Sequence, residues 1–301
     1  MSEAKITVGI VGLGHMGGGM AERLLAAGYR LIGYNRTRAK AEALAGKGMV
    51  VASSPREVAE RSDLTITMVT NDAALLAVFE GPDGILAGLR PGKIVAEMST
   101  TAPVLVRELA DRVAERGAQL LDAPVLGSII TLREGKLLTM VGGPRDAYER
   151  AEPAFLAIGL VRHVGDVGGA KALKIAANLN LAVQVVAFSE GILLAEKMGI
   201  DRRVAIETLL GGVIASPALK YRIPFVLDPP PSALFDCTMI QKDLALALDL
   251  ARETEVPVTT AAASQQMFSA ACAFGYAKED FAVVFHALAK MAGIERYAAL
   301  R

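Results

Sequence analysis

A lysine and an asparagine one helical turn apart are the residues of this chain best suited to acid–base chemistry. Lys174 and Asn178 follow the glycine-rich residues 165–170 and lie four positions apart in an apolar segment, so a helix would project both from one face. Hydride reduction of a carbonyl requires a proton for the developing alkoxide, which a partly desolvated lysine can donate. Asn178 would orient the lysine or the substrate. Lys171 competes for the same role, and spacing alone slightly favours the alternative that both lysines lie on an exposed helix turn.

A glycine motif near the N-terminus predicts a dinucleotide site. The sequence GLGHMG follows an apolar run and opens a helical segment. The first two glycines of such a motif permit a tight turn and close approach of a pyrophosphate, and the third lets helix and strand pack closely. We therefore expect His15 to lie near the pyrophosphate. The predicted contacts here are Gly12, Leu13, Gly14, His15, Met16 and Gly17, joined by Met68, Val69 and Thr70 at the end of a later apolar run.

The residues after the second apolar run indicate which dinucleotide binds. Sites specific for NAD place an acidic residue here, on the ribose 2′-hydroxyl, whereas this chain has Asn35, Arg36 and Thr37. Arginine binds phosphate through charge-assisted hydrogen bonds, and Asn35 and Thr37 can add more. The sequence therefore predicts NADP(H). The alternative is that Arg36 and Arg38 belong to a solvated helix start.

Composition restricts the class of partner. The 301 residues are 52% apolar, and 32 Lys and Arg balance 32 Asp and Glu, so no net field favours nucleic acid or a membrane surface. A small-molecule substrate is the expected partner. Cys237 and Cys272 do not form a disulfide framework, and the N-terminus lacks signal-peptide features, so we expect a reduced cytoplasmic protein. The three histidines are scattered, which predicts no catalytic metal.

Hydrophobic patterning predicts two domains. From Ile6 to His163, short β-branched runs alternate with helical segments, which is typical of a doubly wound, mainly parallel α/β sheet. One of these strand runs covers residues 118–125. After Gly165 the segments all appear helical, beginning with a long apolar helix over 170–198 whose polar residues disfavour a membrane span. We expect a dinucleotide-binding domain over 1–163 and an all-α domain over 164–301.

Several motifs together resemble the β-hydroxyacid dehydrogenase family, which includes 3-hydroxyisobutyrate dehydrogenases and glyoxylate or succinic semialdehyde reductases. They are the glycine motif, the DAPV sequence at 122–125, the glycine-rich entry to Lys174 and Asn178, and Lys242-Asp243 after Phe235. The resemblance covers essentially the whole chain. It implies a Rossmann domain, an all-α domain around a long interdomain helix, and a homodimer or homotetramer associating through the α domain.

The resemblance also implies roles for individual residues. It selects Lys174 over Lys171 as the general acid/base, and it places the loop containing Thr100 beside the nicotinamide. Lys242 is implied to lie near the cofactor, and Phe235 and Asp243 near the substrate.

The substrate loop departs from the family's usual DAPVSGG, because Leu126 replaces serine and Ser128 replaces the second glycine. Leu126, Gly127 and Ser128 are predicted to contact substrate, with backbone N–H groups holding a carboxylate. Either Leu126 packs under the sheet edge, or it selects a larger, less polar substrate. Imine reduction on the same architecture and a non-catalytic NADP-binding module are the competing functions.

Overall fold

The structure is a computed structural model that describes residues 5–294. The chain divides into two compact units, one ending at Lys174 and the other beginning at Ile175. This division falls inside a long helix, whereas the sequence places the domain boundary at 163/164. The boundary at 163/164 stays a prediction.

A mostly parallel sheet forms the N-terminal unit. Its first six strands are parallel in the spatial order β3-β2-β1-β4-β5-β6, and β8 then pairs antiparallel with β6 and β7 and parallel with β9. Every residue of β1, β4 and β5 is buried, as expected for strands covered on both faces. The strands are Val8–Val11 (β1), Leu31–Tyr34 (β2), Val50–Val51 (β3), Leu64–Thr67 (β4), Ile94–Glu97 (β5), Gln119–Asp122 (β6), Val125–Leu126 (β7), Leu137–Gly142 (β8) and Gly159–Gly165 (β9).

Helices cover both faces of this sheet, which confirms the doubly wound prediction. Ile10 belongs to the apolar core on one face, and its neighbour Val11 belongs to the core on the other, because alternate strand residues point to opposite sides. The helices of this unit are His15–Ala26 (α1), Arg38–Ala45 (α2), Pro55–Arg61 (α3), Asp72–Phe79 (α4), Ile85–Gly88 (α5), Pro103–Ala114 (α6), Ile129–Arg133 (α7) and Arg145–Ile158 (α8).

The run at 118–125 is not the single strand that the sequence predicts. It breaks between β6 and β7 at Ala123 and Pro124, since proline cannot donate a ladder hydrogen bond. After the break, β7 pairs antiparallel with β8. The break separates Asp122 from the substrate loop.

Helices make up the second unit, as predicted. Its core contains Phe188, Ile240, Phe268 and Phe285. By length and composition alone the long helix α9, Gly169–Lys197, is apolar enough to cross a membrane, and 44% of its most apolar 18-residue window is buried within the protein. Helix α9 begins in the first unit. The α-helices that follow it are Arg202–Gly211 (α10), Pro217–Arg222 (α11), Cys237–Thr254 (α12), Thr259–Ala271 (α13) and Val284–Met291 (α14).

Candidate active site

The three glycines of the GLGHMG motif, at the junction of β1 and α1, are each suited to their position for a different structural reason. Gly12 has a φ of 100°, and a Cβ there would lie 2.2 Å from the carbonyl oxygen of Met68. A Cβ on Gly17 would lie 1.9 Å from the carbonyl oxygen of Gly12. Gly14 is exposed, and a Cβ added to it would meet nothing within 4 Å. The open space at Gly14, at the N-terminus of α1, fits a pyrophosphate that approaches the backbone closely.

The remaining residues of the glycine turn divide between core and surface. Leu13 is buried beneath the turn, Met16 is half-buried, and His15 is exposed as the first residue of α1. His15 therefore stands at the helix N-terminus where an anion would bind.

Asn35 connects the end of β2 to the glycine turn. Its Oδ1 accepts a hydrogen bond from the backbone N–H of Leu13 at 2.9 Å, and its Nδ2 donates to the carbonyl oxygen of Thr37 at 2.9 Å. Much of the hydrogen-bonding capacity of Asn35 is thus used within the protein. Arg36 and Thr37 are exposed at the strand end.

The two arginines near the end of β2 differ in their partners. Arg38 opens α2 and forms an ion pair with Glu42 at 2.8 Å. Arg36 lies before the helix and has no ion pair within residues 5–294. The solvated-helix explanation therefore describes Arg38 and leaves Arg36 available to an anion.

The loops after β4 and β5 are joined by hydrogen bonds. The backbone N–H of Val69 donates to the Ser99 Oγ at 2.9 Å, and the N–H of Ser99 donates to the Glu97 Oε1 at 2.9 Å. Met68, Val69 and Thr100 are half-buried, and Thr70 is exposed. The structure thus brings the two predicted cofactor loops together at the carboxyl edge of the sheet.

A buried ionic cluster lies at the same edge. The Lys171 Nζ is 2.7 Å from the Glu97 Oε2 and 2.9 Å from the Asp122 Oδ1, and all three side chains are fully buried. Burial acts to lower the pKa of Lys171, but the two carboxylates outweigh it and raise that pKa above its usual value. The alternative of two lysines on an exposed turn is therefore wrong: Lys171 is 0% exposed and Lys174 only 8%.

The substrate loop places its three predicted residues differently. Leu126 is 38% exposed, which contradicts the alternative in which it packs under the sheet edge. Gly127 has a φ of 139°, and a Cβ there would lie 2.3 Å from the Thr131 Oγ1, so this position needs glycine. The Ser128 Oγ accepts from the backbone N–H groups of Ile130 and Thr131 at 3.3 and 3.5 Å. Ser128 therefore caps α7, and its hydroxyl hydrogen is still able to donate.

In the helical unit, Asp243 links two predicted site residues. Asn178 donates from Nδ2 to the Asp243 Oδ2, and the Lys242 Nζ lies 2.8 Å from the Asp243 Oδ1. Asp243 is 1% exposed. Because a buried carboxylate requires a partner, the ion pair with Lys242 balances its charge. The predicted substrate residue Phe235 packs edge-on against Phe281, with ring centroids 5.6 Å apart.

Comparison with known proteins shows the family. Residues 7–167 match the model of the NAD binding domain of 6-phosphogluconate dehydrogenase, and residues 168–288 match that of the NAD-binding domain of NADP-dependent 3-hydroxyisobutyrate dehydrogenase. Human mitochondrial 3-hydroxyisobutyrate dehydrogenase is 35% identical, over 95% of this chain and 87% of its own. This chain belongs to the 3-hydroxyisobutyrate dehydrogenase family.

Other members of the 3-hydroxyisobutyrate dehydrogenase family are similarly close. The chloroplastic glyoxylate/succinic semialdehyde reductase 2 of Arabidopsis thaliana is 32% identical, with coverage of 94% of this chain and 79% of its own. The crystal structure of the Salmonella typhimurium 3-hydroxyisobutyrate dehydrogenase superposes with a TM-score of 0.86 at 29% identity, covering 94% and 99% of the two chains. The protein is thus an oxidoreductase of the hydroxyacid dehydrogenase class, with a domain that binds a nicotinamide dinucleotide.

Glu97 and Asp122 are the charged residues of this region whose contacts sequence reasoning missed. Each closes an apolar strand, and β5 and β6 are neighbours. A carboxylate at the end of each of two adjacent buried strands was the available signal, since buried charges require a partner. The partner, Lys171, is distant in the sequence from both.

Proposed function

We propose that this member of the 3-hydroxyisobutyrate dehydrogenase family is an NADP(H)-dependent enzyme that interconverts a small β-hydroxyacid and its aldehyde or ketoacid, with Lys174 as general acid/base. The assignment to Lys174 rests on the observation that the competing lysine, Lys171, is already paired with two carboxylates. The Lys171 ammonium lies between two buried carboxylates at 2.7 and 2.9 Å, so it is held as a structural cation. Lys174 is then the lysine of this turn suited to proton transfer.

Different residues would carry out different parts of the reaction. A bound reduced nicotinamide would supply the hydride. Lys174 would donate a proton to the carbonyl oxygen as negative charge develops there, and would accept it back in the oxidation direction. Asn178, whose amide donates to Asp243, would fix the position of the substrate oxygen or of the lysine. The Ser128 hydroxyl would bind the substrate carboxylate, together with backbone N–H groups of its loop other than that of Ser128 itself, which donates to the Thr131 Oγ1 at 2.8 Å.

Lys174→Ala is the direct test of the proton donor. Because a positioned acid contributes about 10² to 10⁴ in rate, kcat should fall by that factor while NADPH still binds. Lys136→Met, at an exposed lysine paired with Glu134 at 3.0 Å, is the control for loss of a charge. Near-wild-type kcat in Lys174→Ala would refute the assignment.

The preference for NADP(H) rests on Arg36. It is exposed at the end of β2 with no acidic residue following Tyr34, where a 2′-phosphate would lie in this fold. Arg36→Ser should raise KM for NADPH about 10-fold or more, the loss of one charge-assisted contact, and leave KM for NADH unchanged. Arg38→Ser is the matched control, because Arg38 already pairs with Glu42. A wild-type preference for NADH would exclude the assignment.

The substrate class requires a screen. NADPH oxidation should be measured with short aldehyde acids, ketoacids and cyclic imines, since the exposed apolar Leu126 is compatible with a less polar substrate. We expect turnover of an acid. Turnover of imines alone would favour the imine reductase alternative, and NADPH binding without any turnover would favour a non-catalytic module.

We also propose a cytoplasmic homodimer or homotetramer that associates through the helical unit. Leu194 on α9 and Met198, the residue directly after it, are 72% and 84% exposed, an apolar surface that a second subunit would cover. Light scattering should give a dimer or tetramer mass, and Leu194→Glu should lower it.

A further inference from the structure

Lys171 joins two strand ends to the first turn of α9, entirely within the N-terminal unit. Its ammonium has three donors, and three acceptors surround it: the Glu97 Oε2 at 2.7 Å, the Asp122 Oδ1 at 2.9 Å and the Glu97 carbonyl oxygen at 2.9 Å. The side chain is completely buried. The ammonium is therefore fully coordinated in one fixed geometry.

Glu97 extends this arrangement into the predicted cofactor loops. It accepts hydrogen bonds from the Ser99 N–H at 2.9 Å and from the Thr101 hydroxyl at 3.2 Å. Ser99 in turn holds the N–H of Val69. The carboxylate thus shapes the loop on both sides of Thr100, the residue expected beside the nicotinamide.

Asp122 connects the ionic cluster to the start of α9 and to the end of β6. Its Oδ2 accepts from the backbone N–H groups of Gly168 and Lys171 at 2.9 and 3.0 Å, which fixes the N-terminus of α9. Lys174 lies one turn further along that helix. Asp122 is also the last residue of β6, directly before the segment that leads to Leu126 and Gly127.

The energetic balance indicates why such a cluster exists. Three ionisable groups are fully desolvated, and buried ion pairs rarely stabilise a protein more than apolar residues of similar volume would. What the cluster provides is geometry, because each polar atom accepts only a narrow range of partner positions. We propose that Lys171 is a positioning residue for the reaction: it holds the cofactor loop after β5, the end of β6 from which the chain runs on to the substrate loop, and the helix turn carrying Lys174 in one arrangement. This inference rests on the proposed function of Lys174.

Lys171→Met tests the proposal by separating kcat from cofactor affinity. A displacement of about 1 Å between reacting groups costs about 100-fold in rate, so kcat with the fastest substrate of the screen should fall by about that factor. The NADPH dissociation constant should change far less, because the glycine turn and Arg36 lie outside the cluster. A lysine that only stabilised the fold would lower the fraction of active sites, measured by NADPH stoichiometry, and leave kcat per site unchanged. Such a result would overturn the proposal.

Asp122→Asn is the second variant, needed if Lys171→Met does not fold. Asparagine retains an oxygen for the two backbone N–H groups of α9 but removes the ion pair with Lys171. We expect kcat per site to fall only about 10-fold, because this substitution should displace the reacting groups less than Lys171→Met does. An unchanged kcat would contradict the proposal. Lys136→Met is the matched control and should behave as wild type. If Lys174→Ala were fully active while Lys171→Met lost kcat, the proposed proton donor would be wrong and the positioning role would stand.

Discussion

Three neighbouring glycines, Gly14, Gly17 and Gly18, give a test of the cofactor site in which folding and binding separate. Each is replaced by alanine in turn. A Cβ on Gly17 would lie 1.9 Å from the carbonyl oxygen of Gly12, whereas real Cβ atoms essentially never approach within 3.0 Å. The obstacle is backbone, so α1 must move away from the glycine turn by about 1 Å.

The magnitudes follow from these contacts. Overpacking of this kind costs about 1 to 3 kcal/mol, and we expect the upper end because a backbone atom cannot rotate away. The shifted N–H groups of the turn would each lose part of a hydrogen bond to a charged group, worth about 1.5 to 3 kcal/mol. Gly17→Ala should therefore lower both Tm and NADPH affinity, the latter by about 10-fold or more.

Gly14→Ala should affect binding alone. Its φ of −71° suits alanine, and a Cβ meets nothing within 4 Å, so Tm should not fall. The methyl group would nevertheless occupy the space through which the pyrophosphate approaches the backbone. We expect NADPH affinity to fall about 10-fold or more at unchanged stability, a loss comparable to one charged hydrogen bond.

Gly18→Ala is the matched control. A Cβ at this position would have as its nearest neighbour the Leu13 carbonyl oxygen at 3.7 Å, an ordinary contact, and alanine in a helix interior is favoured over glycine by about 1 kcal/mol. Stability should rise slightly and binding stay unchanged. The assays are thermal unfolding and titration of intrinsic NADPH fluorescence. Wild-type affinity in Gly14→Ala would refute the placement of the pyrophosphate, and a wild-type Tm in Gly17→Ala would refute the packing argument.

Three further predictions concern stability and specificity. Burial, together with the charge of Arg202, lowers the pKa of His286 to about 4 from 6.5. Below pH 6.5 the unfolded state therefore binds a proton that the folded state does not bind until the pH approaches 4. The free energy of unfolding should thus fall by about 2 kcal/mol between pH 8 and pH 5. Denaturant titrations of His286→Gln should lack this loss, and an unaltered pH dependence would contradict it. Arg222→Met leaves the buried carboxylate of Asp280 unpaired and should cost about 3 to 5 kcal/mol, with partial recovery in the double variant Arg222→Met, Asp280→Asn; additive losses would argue against the pair. Leu126→Ser, at an exposed site, should leave Tm unchanged and raise kcat/KM for a short acid about 10-fold through one added hydrogen bond, whereas an unchanged ratio of short to long substrates would show that Leu126 does not contact substrate.

Local signals in the sequence were sufficient for the architecture. Alternating short apolar runs and helical segments predict the doubly wound sheet, and their loss after Gly165 predicts the helical unit; both are observed. Gly12 and Gly17 are predicted as a tight turn and a close helix–strand contact, and the structure has a backbone atom next to each. These features depend on neighbours within a few residues or on one periodic pattern, which a sequence displays directly.

Local patterns were less reliable where pairing or capping decides the outcome. The run at 118–125 is interrupted at Ala123 and Pro124, and the chain beyond them pairs antiparallel with β8 as β7. Ser128, expected to face a ligand, accepts hydrogen bonds as a helix cap from α7. At β7 and at Ser128 the hydrogen-bond partner lies outside the segment, so the composition of the segment does not reveal it.

The choice between Lys171 and Lys174 shows what only the tertiary structure decided. By spacing the two lysines are equivalent, three residues apart at the start of one helix, and the resemblance alone separated them. In the fold, Lys171 meets the carbonyl oxygen of Glu97, 74 residues earlier, and Asp122, 49 residues earlier. Because contacts between such distant residues depend on strand order and packing, residue types and spacing could nominate a lysine, but only the folded chain shows that Lys171 is a buried structural cation.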